Sequence, residues 1–443
     1  MKNLFKSFTK RIALAMTMCV CVVLAFCFTG CDLLNALKPP HEHSYTDNVV
    51  SPTCTEQGYT EHICSCGDKK TDTFVSAIGH SYANYISNGD GTKTGSCVRN
   101  CGATDTKPET ALVGEISFHF PMLGNASTGD CTFIEAGDTD ILIDCGSQVG
   151  SAEVVKKYLD DNNLVDDGVL EFVIVTHADE DHIAGFSSTG AKNIFKYYEC
   201  EIIIDFNLTN KELVSKNGND TTYGKYVKAR DNEVSAGAKH YTALDCYNNQ
   251  NGAQRSYTLS DSITMQILYN YYYENYSGDE NNYSVCTLFS HGERNFLFTG
   301  DLEKEGEEYL VQYNTLPEVE LYKAGHHGSR TSSNNCLLDV IKPKVCVVCC
   351  CAGTDEYSQD PLVQFPSQPF IDRISKHTDK VYVPLIGDTT YTGGEKFAPL
   401  NGNIKVVSNQ IAVSVTCSVS DILLKDTDWF KDKRIMPDEW KTD

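Results

Sequence analysis

An α/β sandwich is the fold class this sequence predicts, and three observations predict it. Between residues 111 and 430, short runs rich in β-branched and aromatic residues alternate with longer amphipathic stretches, as strands and helices packed in layers do. Three of the strand-like runs, "EFVIVTH" (171–177), "NFLFTGD" (295–301) and "ELYKAGHH" (320–327), finish in His or Asp. Sheets of this class collect their chemistry at the carboxyl ends of strands. Residues 41–105 differ in composition, with few aliphatics and many Thr, Ser, Gly, Cys and His, so a small Cys/His-rich module precedes the sandwich.

The first segment is an address and not part of the fold. Lys2, Lys6, Lys10 and Arg11 precede the apolar run "IALAMTMCVCVVLAFCF" (12–28), and "TGC" closes it at Cys31. This pattern reads as an export signal, with a run barely long enough to span a bilayer. Gly30 before Cys31 resembles a bacterial lipobox, with Phe28 where Leu is more usual. Residues 1–31 are then a lipoprotein signal peptide and Cys31 the lipidated first residue of the mature chain. An uncleaved anchor is the alternative. Both readings place the remainder outside the cytoplasmic membrane, and the first anchors it to the outer face of that membrane in a bacterium.

Residues 32–110 comprise a tether ending in Pro39-Pro40, the module, and the linker "TKPET" (106–110). The module echoes itself. "HSY" recurs at His43 and His80, and a Cys-Gly turn recurs at Cys66-Gly67 and Cys101-Gly102. Such a segment buries little core and needs a staple. Cys54, Cys64, Cys66, Cys97 and Cys101 are its candidate cysteines, for a structural metal or for disulfides, and His43 and His80 can add imidazole ligands. The C-x-C and C-x3-C spacings differ from the usual C-x2-C of zinc sites, so both readings stay open. The module resembles small Cys/His repeats of Gram-positive surface proteins, which implies a spacer or wall-facing role.

The main domain is expected over 111–430, with 431–443 as a C-terminal tail. Its strand-like runs are 115–120, 131–136, 141–146, 171–177, 201–205, 263–268, 284–290, 295–300, 319–324, 344–351 and 380–387. Helical stretches fall at 151–163, 301–313 and 366–377. "VCVVCCC" (345–351) reads as one buried strand whose thiols alternate between faces, so Cys349–Cys351 cannot all pair with one another.

The loop "HADEDH" supplies His177, Asp179, Asp181 and His182. If extended, it points 177, 179 and 181 one way and His182 the other, and one peptide segment can serve two metal ions. Imidazole with carboxylate suits Zn, Mn or Fe. Asp301 ends its run where it can bridge two metals, or else caps the following helix. One of His326 and His327 is expected to bind metal or phosphate. Asp144 closes "ILID" and is expected to hydrogen-bond the metal loop, with Asp130 in a similar part. Lys323 either meets a substrate anion or is a plain surface lysine, and Ser329 caps a turn or touches substrate. His240 is the weakest candidate for a further imidazole, and His291, in "SHGERN", reads as a solvated turn residue. No serine nucleophile motif appears.

These motifs together resemble metallo-β-lactamase-fold hydrolases. "HADEDH" is similar to that family's H-x-[HD]-x-D-H. "GDCTFIEAGDTDILIDCGS" (129–147), "NFLFTGDLEKEGEEYL" (295–310) and "LYKAGHHGSRTS" (321–332) are similar to its other landmarks, in the same order. Asp179, in place of the commoner second His, resembles the extracellular hydrolase domain of competence-type DNA-uptake channel proteins. The resemblance implies an αββα sandwich binding one or two divalent metal ions, Zn or Mn, through His177, Asp179, Asp181, His182, Asp301 and His326 or His327. It also implies hydrolysis of a phosphodiester, in which the metal lowers the pKa of a water and Asp181 or Asp179 takes its proton. One departure stands out: the family's Y-G-H-P becomes "EYSQDP" (356–361). Tyr357 remains, the histidine is absent, and Asp360 is the candidate replacement.

Net charge is −23 over 443 residues, which argues against a broad basic surface for nucleic acid. A phosphodiester held at a local metal site remains compatible, whether a small one or DNA. The expected partners are the membrane, through the lipid, and that substrate; no protein partner is implied. The alternative is a catalytically degenerate, surface-attached binding lipoprotein.

Overall fold

The computed structural model describes residues 42–88, 92–108, 114–124, 127–188, 192–388 and 396–441. The expected signal peptide, Cys31 and the tether lie outside them. Among the described residues no helix is long and apolar enough to cross a membrane. The chain divides into two compact units, Met1–Glu109 and Thr110–Asp443.

The first unit holds two three-stranded antiparallel sheets. One is β1 (Tyr45–Val50), β2 (Gly58–Cys64) and β3 (Lys69–Val75). The other is β4 (Tyr82–Ser87), β5 (Thr92–Cys97) and β6 (Thr104–Pro108). Among its described residues the buried apolar side chains are Cys54, Cys64 and Cys97, while Val49, Phe74, Val75 and Ile86 are exposed. The unit thus buries little apolar core, as its composition predicts.

The second unit contains two larger sheets packed face to face. Eight strands form the first: β7 (Ile116–Phe120), β8 (Thr132–Ala136), β9 (Thr139–Ile143), β10 (Val169–Ile174), β11 (Glu199–Asp205) and β12 (Lys239–Thr242), with β23 (Ile404–Ser408) and β24 (Val413–Cys417) beyond β7. Seven form the second: β13 (Ser256–Ser260), β14 (Ile263–Ile267), β15 (Thr287–His291), β16 (Arg294–Phe298), β17 (Leu321–Lys323), β18 (Val345–Val347) and β20 (Val381–Tyr382). A small third sheet joins β19 (Cys351–Ala352), β21 (Leu385–Gly387) and β22 (Phe397–Pro399).

Phe118 of β7 cements the two large sheets. Its ring centroid lies 4.6 Å from Phe296 and 5.8 Å from Phe289, within the range of favourable aromatic pairing. A second apolar cluster includes Leu297, Tyr322 and Cys346 of the second sheet. It also takes in Leu310, Leu338 and Phe370 of the helices Lys304–Tyr313, Asn335–Ile341 and Gln368–Ile374. Ser151–Asp161 and Thr222–Ala236 cover the first sheet, through Val155, Leu159 and Tyr226. The layers therefore run helix, sheet, sheet, helix. The segment after 430 belongs to the second unit too: Arg434 and Trp440 are buried, and the Trp440 indole donates to the Thr378 carbonyl at 3.0 Å.

Two strand expectations are corrected. "VCVVCCC" is not one strand but β18 and β19, in different sheets, because the chain turns where Cys350 N–H donates back to the Val348 carbonyl at 3.0 Å. "KVYVPLIG" likewise splits into β20 and β21 around Pro384, which has no N–H for a ladder.

Candidate metal centre

Four loops at the carboxyl ends of β9, β10, β16 and β17 meet at one edge of the sandwich. Backbone bonds tie them. Asp130 N–H donates to the Asp181 carbonyl (3.0 Å), Cys145 N–H to the His182 carbonyl (2.9 Å), and His326 N–H to the Gly300 carbonyl (3.3 Å). Gly300 is required where it stands. Its φ is +53°, and an added Cβ would lie 2.7 Å from Ser284 Oγ and 3.0 Å from Thr176 Cβ, so a side chain would be both strained and blocked.

The "HADEDH" loop does not stay extended. Glu180–Ile183 is a helical turn, so His182 is swung back beside His177, with ring centroids 4.1 Å apart. Both imidazoles are fully buried. Asp144 fixes His182: its carboxylate lies 2.7 Å from Nδ1 and accepts the Thr176 N–H (2.8 Å) and hydroxyl (2.7 Å). The other nitrogen, Nε2, is thereby aimed at Asp301 Oδ2, 3.2 Å away. Orientation of a ligating imidazole by a carboxylate behind it is a recurrent feature of metal sites.

Asp301 is not a helix cap; the next helix starts at Lys304, after Glu303. Its carboxylate is buried at the middle of the cluster. Oδ2 lies 3.2 Å from His182 Nε2, 3.2 Å from His327 Nε2 and 4.0 Å from His326 Nε2. His326 and His327 both adopt left-handed backbone, φ +47° and +53°, uncommon for residues with a Cβ and the kind of local strain found at functional sites. The two then part. His327 is buried, with Nδ1 on the Cys349 carbonyl at 2.9 Å and Nε2 facing Asp181 Oδ2 at 3.3 Å. His326 is partly exposed, with Nδ1 3.2 Å from Thr331 Oγ1.

The remaining candidates fall around this centre. Asp179 lies 3.5 Å from His177 Nε2 and pairs with Lys211 on its other oxygen. Lys323 is no surface lysine: it is buried, pairs with Asp130 and stands 3.7 Å from Asp301 Oδ1. Ser329 organises its own turn against Thr331. Tyr357 donates its hydroxyl to Asp181 Oδ2 at 3.0 Å. Asp360 does not replace the absent histidine, since it is exposed and its carboxylate accepts the Leu362 N–H. His240 pairs with Asp205 at 2.8 Å, among Tyr226 and Arg230, apart from the cluster. His291 is not solvated but fully buried, 3.0 Å from Ser408 Oγ. Thr176, Lys211 and Ser284 escaped the sequence reading; only Thr176, directly before His177, carried a signal.

Charge and unsatisfied valence point the same way. Burial disfavours charge on His182 and His327, yet the carboxylates of Asp301, Asp144 and Asp181 outweigh it and raise both imidazoles well above their usual range. Burial would raise the Asp181 carboxyl, and His327 and His182 outweigh that, holding it at about 2. Lys323 is pushed down to about 8 by burial. His177 Nε2, His182 Nε2, His327 Nε2, Asp301 Oδ1 and Asp130 Oδ1 are buried without hydrogen-bond partners. Buried polar atoms are nearly always satisfied. A divalent cation would displace the ring protons that the carboxylates hold on His182 and His327 and would fill these valences. The triads His177–His182–Asp301 and Asp181–His182–His327 each place their ligand atoms within 4.8 Å of one another. Apart from the centre, a groove of about 1280 Å³ runs along Gly353–Glu356, lined also by Lys396, Phe397 and Trp429.

Known proteins resemble parts of this chain. Residues 124–203 match the model of the metallo-beta-lactamase superfamily. The chain is 24% identical over 217 residues to "ComE operon protein 3" of Bacillus subtilis (strain 168), covering 48% of this chain and 23% of that protein. It is 33% identical over 69 residues to "Recombination protein 2" of Haemophilus influenzae, covering 16% of this chain and 8% of that protein. The chain thus spans less than a quarter of either relative. A long-form RNase Z from yeast is similar in structure over 69% of this chain and 42% of its own, at 10% identity and a TM-score of 0.37.

Proposed function

We propose that this chain is a metal-dependent hydrolase, in keeping with the match of residues 124–203 to the metallo-beta-lactamase superfamily, and that its substrate is a phosphodiester, cleaved on the outer side of a bacterial cytoplasmic membrane. The carrying observation is the set of buried, unpartnered atoms, His177 Nε2, His182 Nε2, His327 Nε2 and Asp301 Oδ1, facing one another. In this reading Asp301 stands between two ligand groups, one drawn from His177 and Asp179 and the other from Asp181, His182 and His327. One or two Zn or Mn ions held there would lower the pKa of a water and neutralise charge on the phosphoryl oxygens.

The chain's own residues set the rest. Asp144 and the Cys349 carbonyl fix the tautomers of His182 and His327, leaving Nε2 of each free to ligate. Lys323 neutralises Asp130 and leaves Asp301 ionised. Tyr357 remains protonated, since burial and Asp181 raise its pKa far above its ordinary value, and so supplies a hydrogen-bond donor beside the partly exposed Asp181. Lys211 pairs with Asp179, and His327 and Tyr357 meet Asp181, so either carboxylate is a candidate to accept the proton of the attacking water. A phosphodiester is favoured over a β-lactam by Asp179 in the H-x-D-x-D-H loop. The name of one relative, a recombination protein, puts DNA among the candidates. The −23 net charge favours holding any nucleic acid at the centre over a broad basic surface.

Turnover of bis-p-nitrophenyl phosphate with added Mn or Zn tests the chemistry. Wild type is expected to turn over and Asp181→Ala to lose at least about 100-fold. Bound metal with no turnover in wild type would support the degenerate binding protein instead. The anchor is tested separately: lipid modification at Cys31 predicts that globomycin blocks processing, and processing insensitive to globomycin would contradict it.

A further inference from the structure

The first unit is built twice from one pattern. His43 and Tyr45 open the first copy with rings stacked at 5.7 Å, and His80 and Tyr82 open the second with rings at 5.5 Å. Cys64 ends β2 as Cys97 ends β5. Cys64 N–H donates to the Asp68 carbonyl and Cys97 N–H to the Ala103 carbonyl, both at 2.9 Å. Cys66 Sγ lies 3.4 Å from His43 Nδ1, and Cys101 Sγ lies 3.4 Å from His80 Nδ1. Two copies that diverge in sequence yet keep the same Cys–His distance preserve the arrangement of those atoms.

The copies differ in one respect. The second trio, His80, Cys97 and Cys101, is joined by Cys54 from the β1–β2 loop of the first copy, and all four ligand atoms lie within 4.8 Å. Cys54 Sγ lies 3.9 Å from Cys97 Sγ. A tetrahedral zinc site with Zn–S of about 2.3 Å and Zn–N of about 2.0–2.1 Å has S···S edges of about 3.8 Å and S···N edges of about 3.5 Å. The two observed separations match those edges. A disulfide would need the sulfurs at about 2.05 Å. Burial agrees, because Cys54 and Cys97 are two of the three buried apolar side chains described in this unit. A domain with so little core needs a cross-link or a metal.

We propose that Cys54, His80, Cys97 and Cys101 bind one Zn(II) ion that staples the first copy of the repeat to the second. The site is structural, since all four positions are filled by protein, and it is separate from the imidazole–carboxylate centre of the second unit.

Full-length protein prepared under reducing conditions and loaded with Co(II) tests this, because thiolate-to-cobalt charge transfer in the near ultraviolet reports sulfur ligands. The band is expected to persist in Cys64→Ser/Cys66→Ser, which silences the first trio, and to vanish when Cys54→Ser, Cys97→Ser and Cys101→Ser are added. Zinc content is expected to fall by one equivalent per chain at that step. In wild type, Cys54, Cys97 and Cys101 are expected to resist alkylation until a chelator is added, a readout that needs no variant to fold. Absence of the band in Cys64→Ser/Cys66→Ser, a Cys54–Cys97 disulfide in peptide maps of protein isolated without reductant, or alkylation indifferent to chelator would each overturn the proposal.

Discussion

Asp144 shows how much of the centre depends on a buried residue standing behind a candidate ligand. It accepts the Thr176 N–H and hydroxyl on its two oxygens and holds His182 Nδ1 at 2.7 Å. Asn in its place would put an amide N–H₂ against one of those donors, so the tautomer of His182 would no longer be fixed. Asp144→Asn is expected to weaken metal binding about 10–100-fold, measured by calorimetric titration, with the fold retained. At this scale the sequence was most legible where ligand-type residues end strands. His177, His182 and Asp301 do meet as "HADEDH" and "TGD" suggest. The distinction between His326 and His327 was not legible, because it arises from two successive left-handed residues that adjacent identical side chains cannot signal. The burial of Lys323 was hidden for a related reason: its partner, Asp130, is far away in sequence.

At the scale of elements, the helix Lys304–Tyr313 and the loop after His327 are joined by one buried carboxylate. Glu307 accepts the Asn334 N–H at 2.8 Å and also the Ser333 N–H, yet burial raises its pKa to about 7. The folded state therefore holds a proton that the unfolded chain releases near its ordinary value of 4.5. Stability from this group is full below about pH 4.5 and is lost as pH rises through about 7. Glu307→Gln is expected to flatten that slope in melting temperature between about pH 4.5 and 7; an unchanged slope would contradict the assignment. Strands such as Ile116–Phe120, Thr132–Ala136 and Arg294–Phe298 were legible to within a few residues, whereas the β-branched runs Ile404–Ser408 and Val413–Cys417 went unread. The break inside "VCVVCCC" was not, because a turn made of buried thiols carries no Gly or Pro, whereas the break at Pro384 had its marker in plain view. The helix Thr222–Ala236 went unread because its residues show no clear apolar face, although Thr221, accepting the Gly224 N–H at 3.0 Å, and Gly237, with φ +130°, mark its ends.

At the scale of the whole molecule, the layered class was legible from alternating strands and helices, and the closure of the sheet was not. β23 pairs with β7 in a register that sets Val406 opposite Phe118, across almost the entire second unit, and local patterning carries no trace of such a pairing. The two units hold two kinds of ligand cluster: imidazole with carboxylate in one, thiolate with imidazole in the other. That chemical difference makes the central claim testable without ambiguity. The most direct measurement is metal content and bis-p-nitrophenyl phosphate turnover of full-length Asp301→Asn beside wild type, with the thiolate–cobalt band as an internal control. The account predicts that Asp301→Asn loses at least one metal equivalent and its turnover while the thiolate band is unchanged. Wild-type metal content and turnover in Asp301→Asn would contradict it.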